Sequence, residues 1–222
     1  MQTPAEKQLI ETIASFLQKD RTTKPVILNI GAGKSLGIED TLIEKGCTFI
    51  CDRLDIESCS VKHQNIRNCY QCSVEYMYPI KSNEYDLAFS NYVLEHIENL
   101  FKASSEIYRI LKPGGIYVAS VSNPTAIEFF IAKRTPLWFH KWITGRNAWE
   151  THYSYKNIDE LSSIFYGVGL QTIKVSYYPG LECFMERFFF INKLAYFYDN
   201  IISSLKLIKL MNQACVVFKK QI

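Results

Sequence analysis

The run Val26-Ile27-Leu28-Asn29-Ile30 is apolar at four of its five positions and gives way at once to Gly31-Ala32-Gly33. A continuous apolar run suits a parallel strand covered on both faces, because neither side of it meets water. A second strand-like run, Thr48-Phe49-Ile50-Cys51, ends at Asp52, twenty-one residues after Gly31, and residues 36–45 between the two can form a helix. The expected unit is βαβ. Glycines directly after a parallel strand let the backbone turn sharply and approach a ligand closely, while the next strand delivers a carboxylate to a ribose diol. Asp55 is the alternative acid. The pairing predicts a nucleotide-type pocket.

Three ligand classes could use it. Gly31-Ala32-Gly33-Lys34-Ser35 looks like the end of a phosphate-binding GxxxxGK[ST] loop, but the first glycine of that motif would fall at Leu28, inside the strand. A GxGxxG dinucleotide turn fails at its third glycine, since Leu36 stands there and Gly37 follows. What remains is a nucleoside cofactor without a pyrophosphate, of which S-adenosylmethionine is the common one.

Elsewhere strands and helices alternate. Leu9, Ile13, Phe16 and Leu17 recur at helical spacing between Pro4 and Asp20, so the chain opens with an amphipathic helix. A third strand is expected near Ile66 to Gln71 and a fourth from Tyr85 to Ser90. Ile97, Leu100, Phe101, Ser104, Ile107, Tyr108 and Leu111 form a helical stripe, and Lys112-Pro113-Gly114-Gly115 stops that helix, with the lysine suited to its negative end. Ile116 to Val121 reads as strand five, and Ala214 to Phe218 as a returning edge strand. Such alternation predicts a doubly wound, mostly parallel sheet that binds ligands beyond the carboxyl ends of its strands.

Four segments in this order resemble the class I S-adenosylmethionine-dependent methyltransferases of the small-molecule type: VILNIGAG, FICD, EYDLAFSNYVLEHIEN and IYRILKPGGIYVASV. WETHYSYKNIDELSSIFYGVGLQTIKV is similar to the histidine-containing loop, helix and strand of many members. The likeness covers residues 25–178 and a last strand at 215–219. It implies a Rossmann-like α/β fold: a seven-stranded sheet with helices on both faces and a helical insertion before the last strand. It also implies cofactor-binding positions at Asn29, Gly31, Ala32, Gly33, Asp52, Arg53, Ser73, Val74, Ser90, Asn91 and Tyr92. Asn29 departs from the family's common acidic residue, keeping an acceptor oxygen without the charge. Methyl transfer needs chiefly alignment, but a hydroxyl acceptor also needs a base, for which His152 and then His96 are the candidates. A NAD-dependent oxidoreductase and a non-catalytic cofactor-binding scaffold are the rival readings.

A chain of 222 residues, 48% of them apolar, can bury one sizeable core, and one domain spanning residues 1–222 is expected. A net charge of +3 with scattered basic residues gives no nucleic-acid footprint and favours a small-molecule acceptor. Seven cysteines and no amino-terminal apolar signal segment suit a reducing, cytoplasmic setting. Cys47, Cys51, Cys69 and Cys72 with His63 raise a zinc site, yet Cys47 and Cys51 share one face of a strand, as buried thiols do, and no metal is expected.

Two segments remain. Residues 124–155 interleave Phe129, Phe130, Trp138, Phe139, Trp142, Trp149, Tyr153 and Tyr155 with Arg134, Lys141 and Arg146, which suits a lid over the acceptor. Within residues 181–210, Leu181, Phe184, Met185, Phe188, Asn192, Ala195 and Tyr198 lie on one helical face. Charges interrupt this stretch too often for a membrane crossing. It suits an insertion over the site, a homo-oligomer contact or a membrane-surface helix.

Overall fold

Strand β1 (Val26–Ile30) lies between two helical layers, and its residues divide between two cores. Leu28 and Ile30 join one cluster, while Ile27 joins the other. The fold was described from a computed structural model covering residues 2–19, 22–127, 129, 152, 154–185 and 189–221.

Helix α1 (Pro4–Leu17) starts where Thr3 Oγ1 accepts the Glu6 amide and Pro4 needs no donor. It buries Leu9, Ile10, Ile13, Ala14 and Leu17 on one face. With α2 (Gly37–Glu44) it covers the cluster containing Ile27, Cys51, Leu87, Phe89, Val118 and Val217. On the opposite face, α3 (Leu100–Ile110) starts at Asn99, whose side chain accepts the Lys102 amide. The next helix, α4 (Ile158–Gly167), starts at Asn157, whose side chain accepts the Glu160 amide. These two helices bury Ile107, Ile110, Leu161 and Phe165 beneath Leu28, Ala88 and Tyr117. Helices therefore cover both faces.

The strands are β1, β2 (Ile50–Asp55), β3 (Ile66–Gln71), β4 (Tyr85–Asn91), β5 (Leu111–Ser122), β6 (Leu170–Tyr178) and β7 (Gln213–Lys220). They form one seven-stranded sheet in the order β3-β2-β1-β4-β5-β7-β6. Pairings from β3 through β5 are parallel, whereas β7 runs antiparallel to both β5 and β6. This is the expected mostly parallel, Rossmann-like sheet.

Three expectations are corrected. The Ala214–Phe218 strand is not at the edge: β7 is inserted between β5 and β6, and β6 is the edge. Strand β2 does not end at Asp52 but runs three residues further. Lys112 pairs with Asp86 at 2.9 Å, and the end of α3 is instead met by Lys220, whose Nζ donates to the carbonyls of Tyr108 and Leu111. Burial lowers the Lys220 pKa, as expected for an ammonium moved out of water.

Between β6 and β7 lie α5 (Leu181–Phe184), α6 (Phe189–Ser204) and a 3-10 turn, Ile208–Leu210. The single helical face drawn from Leu181 to Tyr198 is thus divided between two helices. Among the described residues no helix is long and apolar enough to cross a membrane.

Candidate functional site

Four carboxyl ends of the parallel strands, with the loops that leave them, enclose a cavity of about 440 Å³. Its size is within the usual range for small-molecule pockets. Ile30, Gly31 and Gly33 line it from β1, and Leu54 and Asp55 from β2. Ser73 and Val74 follow β3, and Asn91, Tyr92, His96 and His152 complete the opposite wall.

The glycine loop is built into this wall. Gly31 and Ala32 donate their amides to Leu54 O at 2.8 and 3.1 Å, which fastens the loop to the end of β2. Gly31 has φ +68 and Gly33 φ +56, the left-handed region that side chains disfavour. A Cβ on Gly31 would fall 2.3 Å from Val93 Cγ2, whereas a Cβ on Gly33 would meet open space. Both glycines are therefore required for backbone conformation, and the first also for its close approach to Val93.

Asp55 is the acid that meets this loop. Its Oδ2 accepts the Gly33 amide at 2.8 Å and its Oδ1 the Glu57 amide at 2.9 Å. A carboxylate oxygen offers two lone pairs, so both retain capacity toward a ligand hydroxyl. Parallel pairing explains the position: Ile30 faces Leu54 across the ladder, and the next residue of each strand enters the cleft.

Asp52 is placed elsewhere, which corrects its expected ribose role. It is fully buried and pointed into the core. Arg67 donates to its two oxygens at 3.1 and 2.7 Å, Tyr85 Oη at 2.7 Å and the Asn68 amide at 3.0 Å. The Asp52 hydrogen bond raises the Arg67 pKa, while burial first and Asp52 second raise that of Tyr85.

Four further expected contacts are corrected. Asn29 is buried and its Nδ2 donates to Glu39 Oε1 at 2.8 Å, so it faces α2 rather than the cleft. Arg53 is fully buried, and its Nη2 donates to Ala32 O and Ser35 O, each at 2.7 Å, bracing the loop from behind. Its Nε lies 3.6 Å from Glu39 Oε1, within ion-pair reach. Glu39 thus places a buried carboxyl behind the loop, between Asn29 and Arg53. Ala32 contributes backbone to these bonds and does not line the cavity. Ser90 Oγ is paired with Tyr117 Oη at 2.6 Å in the core, where Tyr117 stacks on Phe165.

The cavity does bring together Gly31, Gly33, Ser73, Val74, Asn91, Tyr92, His96 and His152. Tyr92 has φ +54, uncommon for a large residue, and its hydroxyl is 2.8 Å from Thr3 Oγ1. Asn91 Oδ1 accepts from Ser120 Oγ. His152 reaches the cavity because its amide donates to Glu95 O at 3.0 Å. Glu95 is buried, with Oε1 accepting from Ser122 Oγ at 3.0 Å, and desolvation raises its pKa. Spacing within FSNYVLEH could not reveal that role, because it depends on Ser122 of β5 and on the His152 amide, both distant in sequence.

Of the expected lid, Tyr155 belongs to the core, where its hydroxyl donates to Ser122 O at 2.7 Å. Phe130, Trp138, Phe139, Trp142, Trp149, Tyr153, Arg134, Lys141 and Arg146 lie outside the described residues. Among the described residues, no group of His, Cys, Asp and Glu is placed to hold a metal ion.

Residues 28–119 match a family model described as a methyltransferase domain. The malonyl-(acyl-carrier protein) O-methyltransferase of Marinomonas sp. is 24% identical over 119 residues, covering 52% of this chain and 44% of that protein. The mitochondrial arginine-hydroxylase of Danio rerio is 30% identical over 114 residues, covering 48% of this chain and 34% of that protein. The aligned region thus spans less than half the length of these curated relatives. In fold, the chain is similar to Haemonchus contortus phosphoethanolamine N-methyltransferase 2 in complex with S-adenosyl-L-methionine. The TM-score is 0.63 at 20% identity, over 97% of this chain and 53% of that chain. The domain match begins inside β1 and ends inside β5, so it includes every strand that lines the cleft, and over those residues the chain is similar to S-adenosylmethionine-dependent methyltransferases.

Proposed function

We propose that the chain transfers a methyl group from S-adenosylmethionine to a small molecule, at an oxygen of a sugar, a lipid-linked intermediate or a similar metabolite. The observation that carries this reading is the meeting of the glycine loop and the Asp55 carboxylate at one cleft, joined by the Gly33 amide. When bound, the cofactor supplies a methyl group already activated by its sulfonium charge.

The residues present fit that group. Gly31 and Gly33 let the backbone approach its methionine part, and Asp55 accepts from the ribose hydroxyls in charge-assisted bonds. Ser73 and Val74 lie on the adenine side, and Asn91 and Tyr92 on the wall toward the acceptor. Holding acceptor, carbon and sulfur in line is worth about 7 kcal/mol or more. An oxygen acceptor must also lose a proton, and His152 and His96 line the same cavity from the side opposite Asp55.

Calorimetric titration with S-adenosylhomocysteine and with NAD tests the cofactor, and binding of the first alone is expected. Incubation with labelled S-adenosylmethionine and candidate acceptors should then give a product heavier by one methyl group. NAD binding in preference would return the oxidoreductase reading, and binding without turnover would assign a scaffold. A product heavier by one oxygen would move the chain toward its hydroxylase relative.

A further inference from the structure

Helix α6 carries two apolar stripes. Ala195 and Ile202, with Asp199 between them, face the protein and are buried. Leu194, Phe197 and Ile201, three and four residues apart, form a second stripe that is 69%, 64% and 56% exposed. Leu205, Leu207 and Ile208 extend this exposed surface through the next turn. A single exposed leucine is ordinary, whereas a contiguous set of large apolar side chains marks a surface that something covers.

Charge identifies what covers it. Between 189 and 210 the charged residues exposed to solvent are Lys193, Lys206 and Lys209. The one acid of that stretch, Asp199, is turned inward, accepting the amides of Leu181 at 3.2 Å and Glu182 at 2.9 Å. An apolar stripe flanked by cations with no exposed acid complements a uniformly negative surface with an oily interior. The sixteen residues of α6 extend roughly 24 Å, short of a ~30 Å hydrocarbon core. The helix is suited to lie on a bilayer, not to span it.

Its position matters. β5 and β6 both run antiparallel to β7, so β6 ends on the same side of the sheet as β1, β2 and β4. α5 follows directly from that end of β6, and Asn123 at the end of β5 donates to Met211 O at 2.8 Å. The exposed stripe and the cleft therefore share one end of the sheet.

We propose that the Leu194-Phe197-Ile201 face, with Lys206 and Lys209, docks the chain onto an anionic lipid bilayer. Docking does not depend on the methyltransferase reading. Delivery of a membrane-held acceptor to the cleft does rest on it.

Flotation of the full chain with vesicles of phosphatidylcholine, alone or mixed with phosphatidylglycerol, is the test. Binding is expected to the mixed vesicles and to weaken as salt is raised. Lys206→Ala and Lys209→Ala should each lower it about fivefold. Phe197→Ser combined with Ile201→Ser should abolish it while the urea midpoint stays at the wild-type value, which separates lost docking from lost folding. Equal binding to neutral and anionic vesicles, or variants that bind like wild type, would overturn the proposal. So would a wild-type dimer in sedimentation velocity that the double variant converts to monomer without any lipid binding, since a second copy would then cover the stripe.

Discussion

Asp52 and Asp55 lie on one strand three residues apart, and therefore on opposite faces of the sheet. Asp52 is itself buried and is closed in chiefly by side-chain donors, Arg67 and Tyr85, with one backbone amide, that of Asn68. Asp55 is held by two backbone amides at the edge of a cavity. A carboxylate closed in by side chains holds structure together, whereas one steadied by the main chain retains lone pairs for a ligand. The comparison separates stability from binding within a single strand.

The largest expected effect breaks the core side. Asp52→Ala leaves the buried Tyr85 hydroxyl without its acceptor, while the half-exposed Arg67 keeps Glu84 at 2.9 Å, and should cost about 3 kcal/mol in urea unfolding. Material that remains folded should still bind S-adenosylhomocysteine with little change. Asp55→Ala should do the reverse. Loss of a charge-assisted acceptor should weaken S-adenosylhomocysteine by about 2 kcal/mol in calorimetry, with a near-native urea midpoint. Were the two variants to exchange these phenotypes, the assignment of the acids would be inverted.

Gly33→Ala sharpens the same contrast from the loop. Its φ of +56 is strained for alanine although the added Cβ has room, so about 1–2 kcal/mol should be lost, read as urea stability and weaker ligand binding.

The smallest effect concerns Glu95. Burial raises its pKa above the ordinary 4.5, so the folded chain retains a proton there that the unfolded chain has released. Stability should accordingly fall as pH rises from that ordinary value through the raised one. Asp199 adds a slope of the same sign, and Glu106, held down by Arg109, one of the opposite sign. Glu95→Gln should remove only its own part of the slope and add about 1 kcal/mol at neutral pH. An unchanged slope in urea midpoints would exclude Glu95 as a source.

β1 was legible because it is a continuous, nearly fully buried apolar run, and the stripe of α3 because its buried residues recur at helical spacing. Strand β2 was not, because Asp52 and Arg53 interrupt its apolar run, and charged residues are rarely buried unless paired. Their partners, Arg67, Tyr85 and the loop carbonyls, come from other segments, so local pattern cannot announce them. The place of β7 had a signal that was misread. Ala214 to Phe218 is continuously apolar and fully buried, as an interior strand requires, while β6 is polar in part and half-exposed along most of its length, as an edge strand is. The Asn29–Glu39 hydrogen bond depends on α2 folding back against β1, which spacing alone does not reveal.

Arg53 grips the loop carbonyls from behind, and Leu54 O holds its amides in front. A segment clamped at both sides has already surrendered its freedom before any visitor arrives. Capture of the adenosyl group should thus resemble a key entering a cut lock, with association rates governed by encounter and little chain reordering left to slow them.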